Sequence, residues 1–142
     1  MLEIKTYKGY YTFNKKEHNL MRGHINTIFY IDIKEIQENK FIGNTEEDKN
    51  TGGIEGKGLI EGTINNDKVF FTKKMPYLTI LTSINTTKTF KNKKHTEILY
   101  QGTIDMENRL IYGTWKTKLN IIWFGIIPIP FFPSKGSWKL DL

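Results

Sequence analysis

The sequence predicts an all-β protein, folded as a single antiparallel up-and-down β-barrel of eight to ten strands. Its 142 residues include no alanine, the best helix former, whereas 20 isoleucines, 16 threonines and 19 aromatic residues favour strands. The apolar runs are short and are broken at strand-length intervals by Gly, Asn, Asp and Pro, which is typical of barrels and sandwiches. The 40 Leu, Ile, Val and Phe residues suffice for one core, so we expect one domain, 1–142.

Turn residues divide the chain into ten predicted strands. The segments 65–67 (Asn-Asn-Asp) and 105–108 (Asp-Met-Glu-Asn) indicate hairpin turns. The polar residues 45–53 predict a loop, and 14–23 has room for a short helix at most. The predicted strands are 2–13, 24–34, 39–44, 56–65, 68–75, 77–84, 95–105, 109–118, 119–127 and 135–142.

Four segments share a Gly-Thr/Ser-Ile/Trp pattern, at 62–64, 102–104, 113–115 and 136–138. Because side chains alternate along a strand, the glycines and large apolar residues of all four fall on one face and the polar residues on the other. This agreement predicts one inward apolar face. Aligned glycines inside strands indicate the strong bends of a closed barrel, which we expect rather than a flat sandwich.

The same segments carry a resemblance to known proteins. The motifs Phe41-x-Gly43, Gly58-x-x-x-Gly62, Val69-x-Phe71-x-Lys73-x-Met75, Tyr100-x-Gly102, Gly113-x-Trp115 and Gly136-x-Trp138, with Asp48, span about 41–142. This spacing resembles a group of small bacterial proteins that are similar to the calycin barrels: lipocalins, fatty-acid-binding proteins and avidins. Lipocalins carry Gly-x-Trp on the first strand, whereas here it lies on the last. The resemblance implies a cavity for a small apolar ligand.

The residues themselves leave two interpretations of the barrel interior. A small barrel either fills its interior with side chains or holds one small ligand. Aromatic walls suit an apolar ligand, and inward glycines would leave room for it. The same rings could simply form the core. The candidate ligand-binding residues on the inward face are Phe29, Ile60, Phe71, Tyr100, Trp115 and Trp138.

Lys73 is the most specific single candidate, because it shares the apolar face of its strand with Val69, Phe71 and Met75. A lysine at the barrel opening could bind a ligand carboxylate or phosphate. Alternatively, it extends from the rim into water at the strand end.

Charge and composition argue against several functions. Of the 21 basic residues only two are Arg, and the lysines are spread out, so we expect no specific nucleic-acid binding. The lysine-rich run 88–95 predicts a solvated loop with at most weak affinity for acidic surfaces. The chain has no Cys, no metal-ligand spacing of its three histidines, no facing acid pair and no phosphate-binding Gly loop. We therefore expect no enzyme activity, metal or cofactor.

Residues 119–133 form a stretch of 15 residues without a charge. The stretch is shorter than the roughly 20 residues of a membrane-spanning helix, and three prolines would interrupt a helix. One interpretation is a buried strand and a Pro-rich loop that cover the barrel. The other is an exposed patch that binds a second copy of the chain, another protein or a membrane surface. Its contact residues would be Trp123, Phe124, Phe131 and Phe132.

The N-terminal residues lack the apolar run of a signal peptide, so we expect a cytoplasmic protein. The leading functional hypothesis is a non-enzymatic binder of a small apolar or amphipathic ligand. The alternative is a homodimerisation or membrane-surface module that uses 119–133.

Overall fold

The computed structural model describes residues 1–84 and 86–142. One short helix, α1 (Lys16–Arg22), lies where the sequence left room for it, and all other long elements are strands. The strands are β1 (Thr6–Phe13), β2 (Thr27–Gln37), β3 (Lys40–Glu47), β4 (Gly58–Asn65), β5 (Lys68–Lys74), β6 (Leu78–Ser83), β7 (Thr86–Phe90), β8 (Ile98–Asp105), β9 (Leu110–Thr117), β10 (Asn120–Phe124), β11 (Ile127–Phe131) and β12 (Lys135–Asp141).

Eight strands close into an antiparallel barrel in the order β1-β12-β9-β8-β5-β4-β3-β2. The two ends of the chain close it, because β1 pairs with β2 on one side and with β12 on the other. In this register Tyr11 lies opposite Thr27 and Trp138. The predicted up-and-down barrel is confirmed, and the N-terminal forty residues supply two of its strands.

Two hairpins, β6–β7 and β10–β11, lie outside the barrel as separate two-stranded sheets. We call them together the hairpin cap. The predicted strands 77–84 and 119–127 are therefore only the first arms of these hairpins. The second arm β7 occupies part of the run 88–95 that we predicted as a loop, and β11 contains Pro128 and Pro130. Proline is tolerated in β11 because each strand of a two-stranded sheet is an edge strand.

The barrel has two unlike ends. We call the end beside the cap, where β3 and β5 finish and β8 begins, the hairpin end, and the opposite end the far end. The far end is packed, since the cavity among its apolar side chains has a volume of only about 10 Å³. The side chains that pack there are Leu2, Ile31, Ile33, Phe41, Val69, Phe71, Ile111, Trp138 and Leu140.

The inward glycines make room for aromatic rings rather than for a ligand. A Cβ atom on Gly102 would lie 2.7 Å from the Trp138 ring, and one on Gly136 would lie 2.5 Å from the Trp115 ring. A Cβ atom on Gly62 would meet the ring of Phe41 at 2.4 Å. The expectation that these glycines leave free space in the barrel is therefore wrong, because large side chains occupy it.

We predict that Gly113→Ala destabilises the fold by about 1–3 kcal/mol, the usual cost of an overpacked site. The Cβ atom of an alanine at this position would lie 1.9 Å from the Gln101 carbonyl oxygen on β8. Because this oxygen belongs to the main chain, it cannot rotate away as a side chain can. Urea denaturation measures the change, with Lys139→Ala on the exposed face of β12 as control. Equal stability of the two variants would contradict this explanation of the glycine.

Candidate functional site

Two oppositely charged side chains meet inside the barrel near its hairpin end. Glu47 is the last residue of β3, and strand alternation places it on the inward face after Phe41, Gly43 and Thr45. Lys73 lies on the inward face of β5. Both side chains are only 1% exposed, and Lys73 Nζ forms an ion pair with Glu47 Oε2.

The rest of the Glu47 carboxylate is also satisfied. Glu47 Oε1 accepts a hydrogen bond of 2.7 Å from the Tyr11 hydroxyl and one of 2.9 Å from the Ile54 backbone N–H. The Lys73 ammonium lies 5.0 to 5.7 Å from the ring centres of Tyr11, Phe29 and Tyr100. The pair is therefore held by hydrogen bonds on its acidic side and by cation–π contacts on its basic side.

The ion pair keeps both groups charged despite their burial. Burial alone would raise the pKa of Glu47, but the Lys73 ammonium and the hydrogen-bond donors lower it overall. Burial alone would lower the pKa of Lys73, and the Glu47 carboxylate raises it overall. Each charge is thus the main reason that the other remains ionised.

The loop 48–57 delivers the Ile54 N–H to Glu47. Asp48 accepts a hydrogen bond from the Asn50 N–H at 3.0 Å, which begins a short 3₁₀ turn at Lys49–Thr51. Thr27 donates to the Thr51 carbonyl at 2.7 Å, which fastens this turn to β2. At Gly53 the chain passes so close that a Cβ atom would lie 2.6 Å from Glu47 Cβ.

The structure corrects two expectations about this cluster. The hypothesis that Lys73 extends from the rim into water is wrong, because it is buried and paired. The predicted polar loop 45–53 was wrong for its first three residues, which continue β3. Sequence reasoning missed Glu47 for that reason, although the alternation from Phe41 through Gly43 and Thr45 would have placed it inside.

A cavity of about 460 Å³ lies between the hairpin end and the cap. Its floor includes Tyr11, Ile98, Tyr100 and Trp115 from the barrel. The loop residues Ile54 and His95 lie at its sides. The cap supplies most of the remaining apolar wall, to which Phe13 of β1 and Phe132, next after β11, also contribute. The cap residues of the wall are Ile80, Phe124, Ile129, Pro130 and Phe131.

The predicted site residues fall into separate places. Tyr100 and Trp115 line the cavity, and so do Phe124, Phe131 and Phe132 of the apolar segment. Trp123 is exposed, on the other face of its hairpin. Five of the ligand candidates lie buried in the barrel and do not line the cavity: Phe29, Ile60, Phe71, Lys73 and Trp138.

The polar groups of the cavity are uncharged or basic. Burial raises the pKa of Tyr100 to about 12, so its phenol remains an O–H donor at neutral pH. Burial lowers the pKa of His95, whose Nδ1 lies 2.7 Å from the Thr96 carbonyl, so its ring is neutral at neutral pH. Lys118 also lines the wall, and no lining residue is an acid.

Comparison with known proteins gives no family: no family model, curated protein or solved structure matches the chain. In the described residues, no three His, Asp or Glu side chains are grouped as metal ligands would be. No helix within the ranges 1–84 and 86–142 has the length and apolar character needed to span a membrane.

We predict strong coupling between Glu47 and Lys73. Glu47→Gln keeps an oxygen for Tyr11 and Ile54 but leaves Lys73 unpaired, and Lys73→Met leaves the carboxylate unpaired. Each single change should cost about 3–5 kcal/mol of unfolding free energy, the usual penalty of an uncompensated buried charge. The double variant should recover most of that loss in urea denaturation.

The exposed pair Asp32–Lys34 provides the matched control, with Asp32→Asn, Lys34→Met and their combination. These variants should change stability little, because solvent screens an exposed pair. If the double variant of Glu47 and Lys73 loses the sum of its two single losses, the coupling does not exist.

The pH dependence of stability follows from the same pair. Because folding lowers the pKa of Glu47 from 4.5, its contribution is complete above that value and is lost as pH falls through the folded pKa. Because folding raises the pKa of Lys73 from 10.5, its contribution is complete below that value and is lost as pH rises through the folded pKa.

We therefore expect the urea midpoint of unfolding to fall at low pH and at high pH. Between these extremes, this pair should change the midpoint little. The double variant Glu47→Gln/Lys73→Met should show weaker falls at both extremes. Identical pH profiles of the two proteins would contradict this assignment.

Proposed function

We propose that the protein is a non-enzymatic binder of one small amphipathic molecule, held in the cavity between the hairpin end and the cap. The observation that carries this proposal is the cavity itself, whose volume of about 460 Å³ falls in the range of small-molecule sites. Its wall is mainly apolar with a few polar groups, as such sites usually are. The resemblance to calycin barrels supports the same class of ligand.

The proposed ligand position differs from the one expected from the sequence. The far half of the barrel is packed with side chains, so the ligand would rest on the barrel end rather than within the barrel. Aromatic rings of Trp115 and Tyr11 form its floor, and the cap covers it. The apolar body of the ligand would pack against these rings and against Phe124 and Phe131.

Tyr100 is the group that would recognise the polar part of the ligand. Lys73 Nζ lies 5.7 Å from the centre of the Tyr100 ring, and at neutral pH the Tyr100 phenol keeps its hydrogen as a donor. In the described part of the chain, that hydrogen has no protein acceptor, and Tyr100 lines the cavity. The nearby ammonium strengthens it as a donor. A carboxylate or carbonyl oxygen is the matching group, and the cavity wall has no acid to repel an anion.

Native mass spectrometry of gently purified protein, with analysis of an organic extract, tests this proposal. We expect one extra mass per chain, assigned to an amphipathic molecule. Isothermal titration of delipidated protein with dodecanoate should then give one site. A bare chain that also takes up no dodecanoate would contradict the proposal.

A pair of matched variants locates the site. Ile80→Trp should fill the cavity and abolish dodecanoate binding. The control is Ile36→Trp, because Ile36 is also a half-buried isoleucine of a strand but lies at the far end. This control should bind dodecanoate as the parent protein does. Equal binding by both variants would place the ligand elsewhere.

Tyr100→Phe should weaken dodecanoate binding roughly two- to tenfold, the value of one hydrogen bond. Tyr7→Phe is the control, because the Tyr7 hydroxyl lies at the far end and its hydrogen-bond partner among the described residues is Glu3. Unchanged affinity in Tyr100→Phe would exclude this phenol as the donor.

A further inference from the structure

The hairpin β10–β11 is apolar on both faces. Residues opposite each other in an antiparallel pair share a face, so Ile122 shares one with Ile129, and Ile121 shares the other with Pro130. On the first face Ile122 is buried and Ile129 borders the cavity, whereas Ile127 near the turn is 61% exposed. On the second face Pro130 borders the cavity, but Ile121 and Trp123 are 54% and 57% exposed.

The tip and base of this hairpin extend the exposed apolar surface. Ile126, beside the turn glycine Gly125, is 93% exposed, and Leu119 and Phe132 at the base are also exposed. A monomeric soluble protein rarely exposes a continuous apolar patch of this kind without an interaction partner. Only Pro130 of this second face borders the cavity, so the barrel and the cavity do not explain why Ile121 and Trp123 are apolar and exposed.

The net charge of the protein is concentrated in the same region. Residues 76–96 and 117–135, which contain the cap, hold six lysines and no acid. The whole chain has 21 basic and 15 acidic residues, so the remaining chain holds fifteen of each and is neutral. The entire net charge of +6 therefore belongs to these two segments. The six lysines are Lys88, Lys91, Lys93, Lys94, Lys118 and Lys135.

Contacts between the two hairpins join the basic and apolar parts into one surface. The rings of Phe90 and Phe124 meet edge to face, 5.2 Å between centres. Lys93 of the first hairpin segment lies over the Phe124 ring of the second, at 5.0 Å. Lys118 and Lys135 flank β10–β11 at its base, while its tip carries no charge.

This arrangement of an uncharged apolar tip and basic flanking segments fits a lipid bilayer better than a second copy of the chain. Two copies that met through their caps would bring six positive charges against six, and neither segment holds an acid to pair with them. An anionic membrane offers negative headgroups at its surface and an apolar layer beneath. A protruding apolar tip with lysines behind it matches both layers.

We propose that the hairpin cap docks on anionic lipid membranes. The tip of β10–β11, with Trp123 and Ile126, enters the boundary between headgroups and acyl chains, and the six lysines of segments 76–96 and 117–135 bind the lipid phosphates. Docking would place the cavity beside the bilayer, because the inner face of the same hairpin lines it. A ligand would then exchange between the cavity and the bilayer. That exchange rests on the proposed function, whereas docking does not.

Vesicle co-sedimentation tests docking directly. We expect binding to vesicles of equal phosphatidylcholine and phosphatidylserine and much weaker binding to phosphatidylcholine alone. Vesicles with brominated acyl chains should quench Trp123, while Trp115 and Trp138 are buried in the barrel and stay unquenched. The variant Trp123→Phe should therefore lose the quenching and keep most of the binding.

Two pairs of variants separate the apolar and basic contributions. Ile121→Ser/Trp123→Ser should weaken binding at least tenfold, whereas Ile42→Ser/Tyr112→Ser, at exposed positions of the barrel, should not. Lys88→Gln/Lys91→Gln/Lys94→Gln should weaken it about fivefold per lysine, the usual effect near an anionic surface. Lys8→Gln/Lys40→Gln/Lys139→Gln removes the same charge from the barrel strands and should have a smaller effect.

The outcomes distinguish this proposal from its alternatives. Failure to bind the anionic vesicles, or equal losses in the cap and barrel variants, would overturn it. A lipid-independent dimer that Ile121→Ser/Trp123→Ser dissociates would overturn it too and would assign the face to a second copy. Vesicle binding by a protein that takes up no dodecanoate would sustain docking while contradicting the ligand proposal.

Discussion

The ion pair of Glu47 and Lys73 is the constraint on which the arrangement of the hairpin end depends. Two charges buried in an apolar barrel are tolerated only when each neutralises the other and further hydrogen bonds complete their shells. Meeting that requirement fixes the inward ends of β3 and β5, the hydroxyl of Tyr11 on β1 and the backbone of Ile54 in the following loop. The pair thereby joins three strands and a loop that are separate in sequence. It also marks the boundary between the packed far half and the cavity.

The two sides of this boundary are built differently. In the far half, Trp138 occupies the space that Gly102 leaves, so small and large residues interlock without room for a ligand. At the hairpin end the strands supply only a floor, and the chain adds two hairpins between barrel strands to enclose a space above it. The inner face of β10–β11 completes this enclosure. On its outer face Pro130 also borders the cavity, whereas Ile121 and Trp123 are exposed and do not line it.

Alternation predicted the barrel well because it depends only on the chain's own pattern. The faces of Ile60, Tyr100, Trp115 and Trp138 follow from period two, and the structure confirms that all four are buried. The site was harder to predict, because it depends on contacts between distant segments. Glu47 was assigned to a polar loop since Thr-Glu-Glu-Asp resembles one, and only its pairing with Lys73 explains an inward carboxylate. The prolines of β11 indicated a loop, because a sequence does not reveal that a strand will lie at an edge.

The ionisation state of Lys73 is the most direct test of this account, and side-chain NMR of ¹⁵N-labelled protein measures it. We predict an Nζ shift typical of a charged ammonium at neutral pH and throughout the range up to its usual pKa of 10.5, with through-space contacts to Glu47 and to the ring of Tyr100. In Glu47→Gln the carboxylate no longer offsets the burial of Lys73, so the Lys73 ammonium should lose its proton at a lower pH than in the parent protein. A neutral amine at neutral pH in the parent protein, or the absence of through-space contacts from Lys73 to Glu47 and to the Tyr100 ring, would contradict the account.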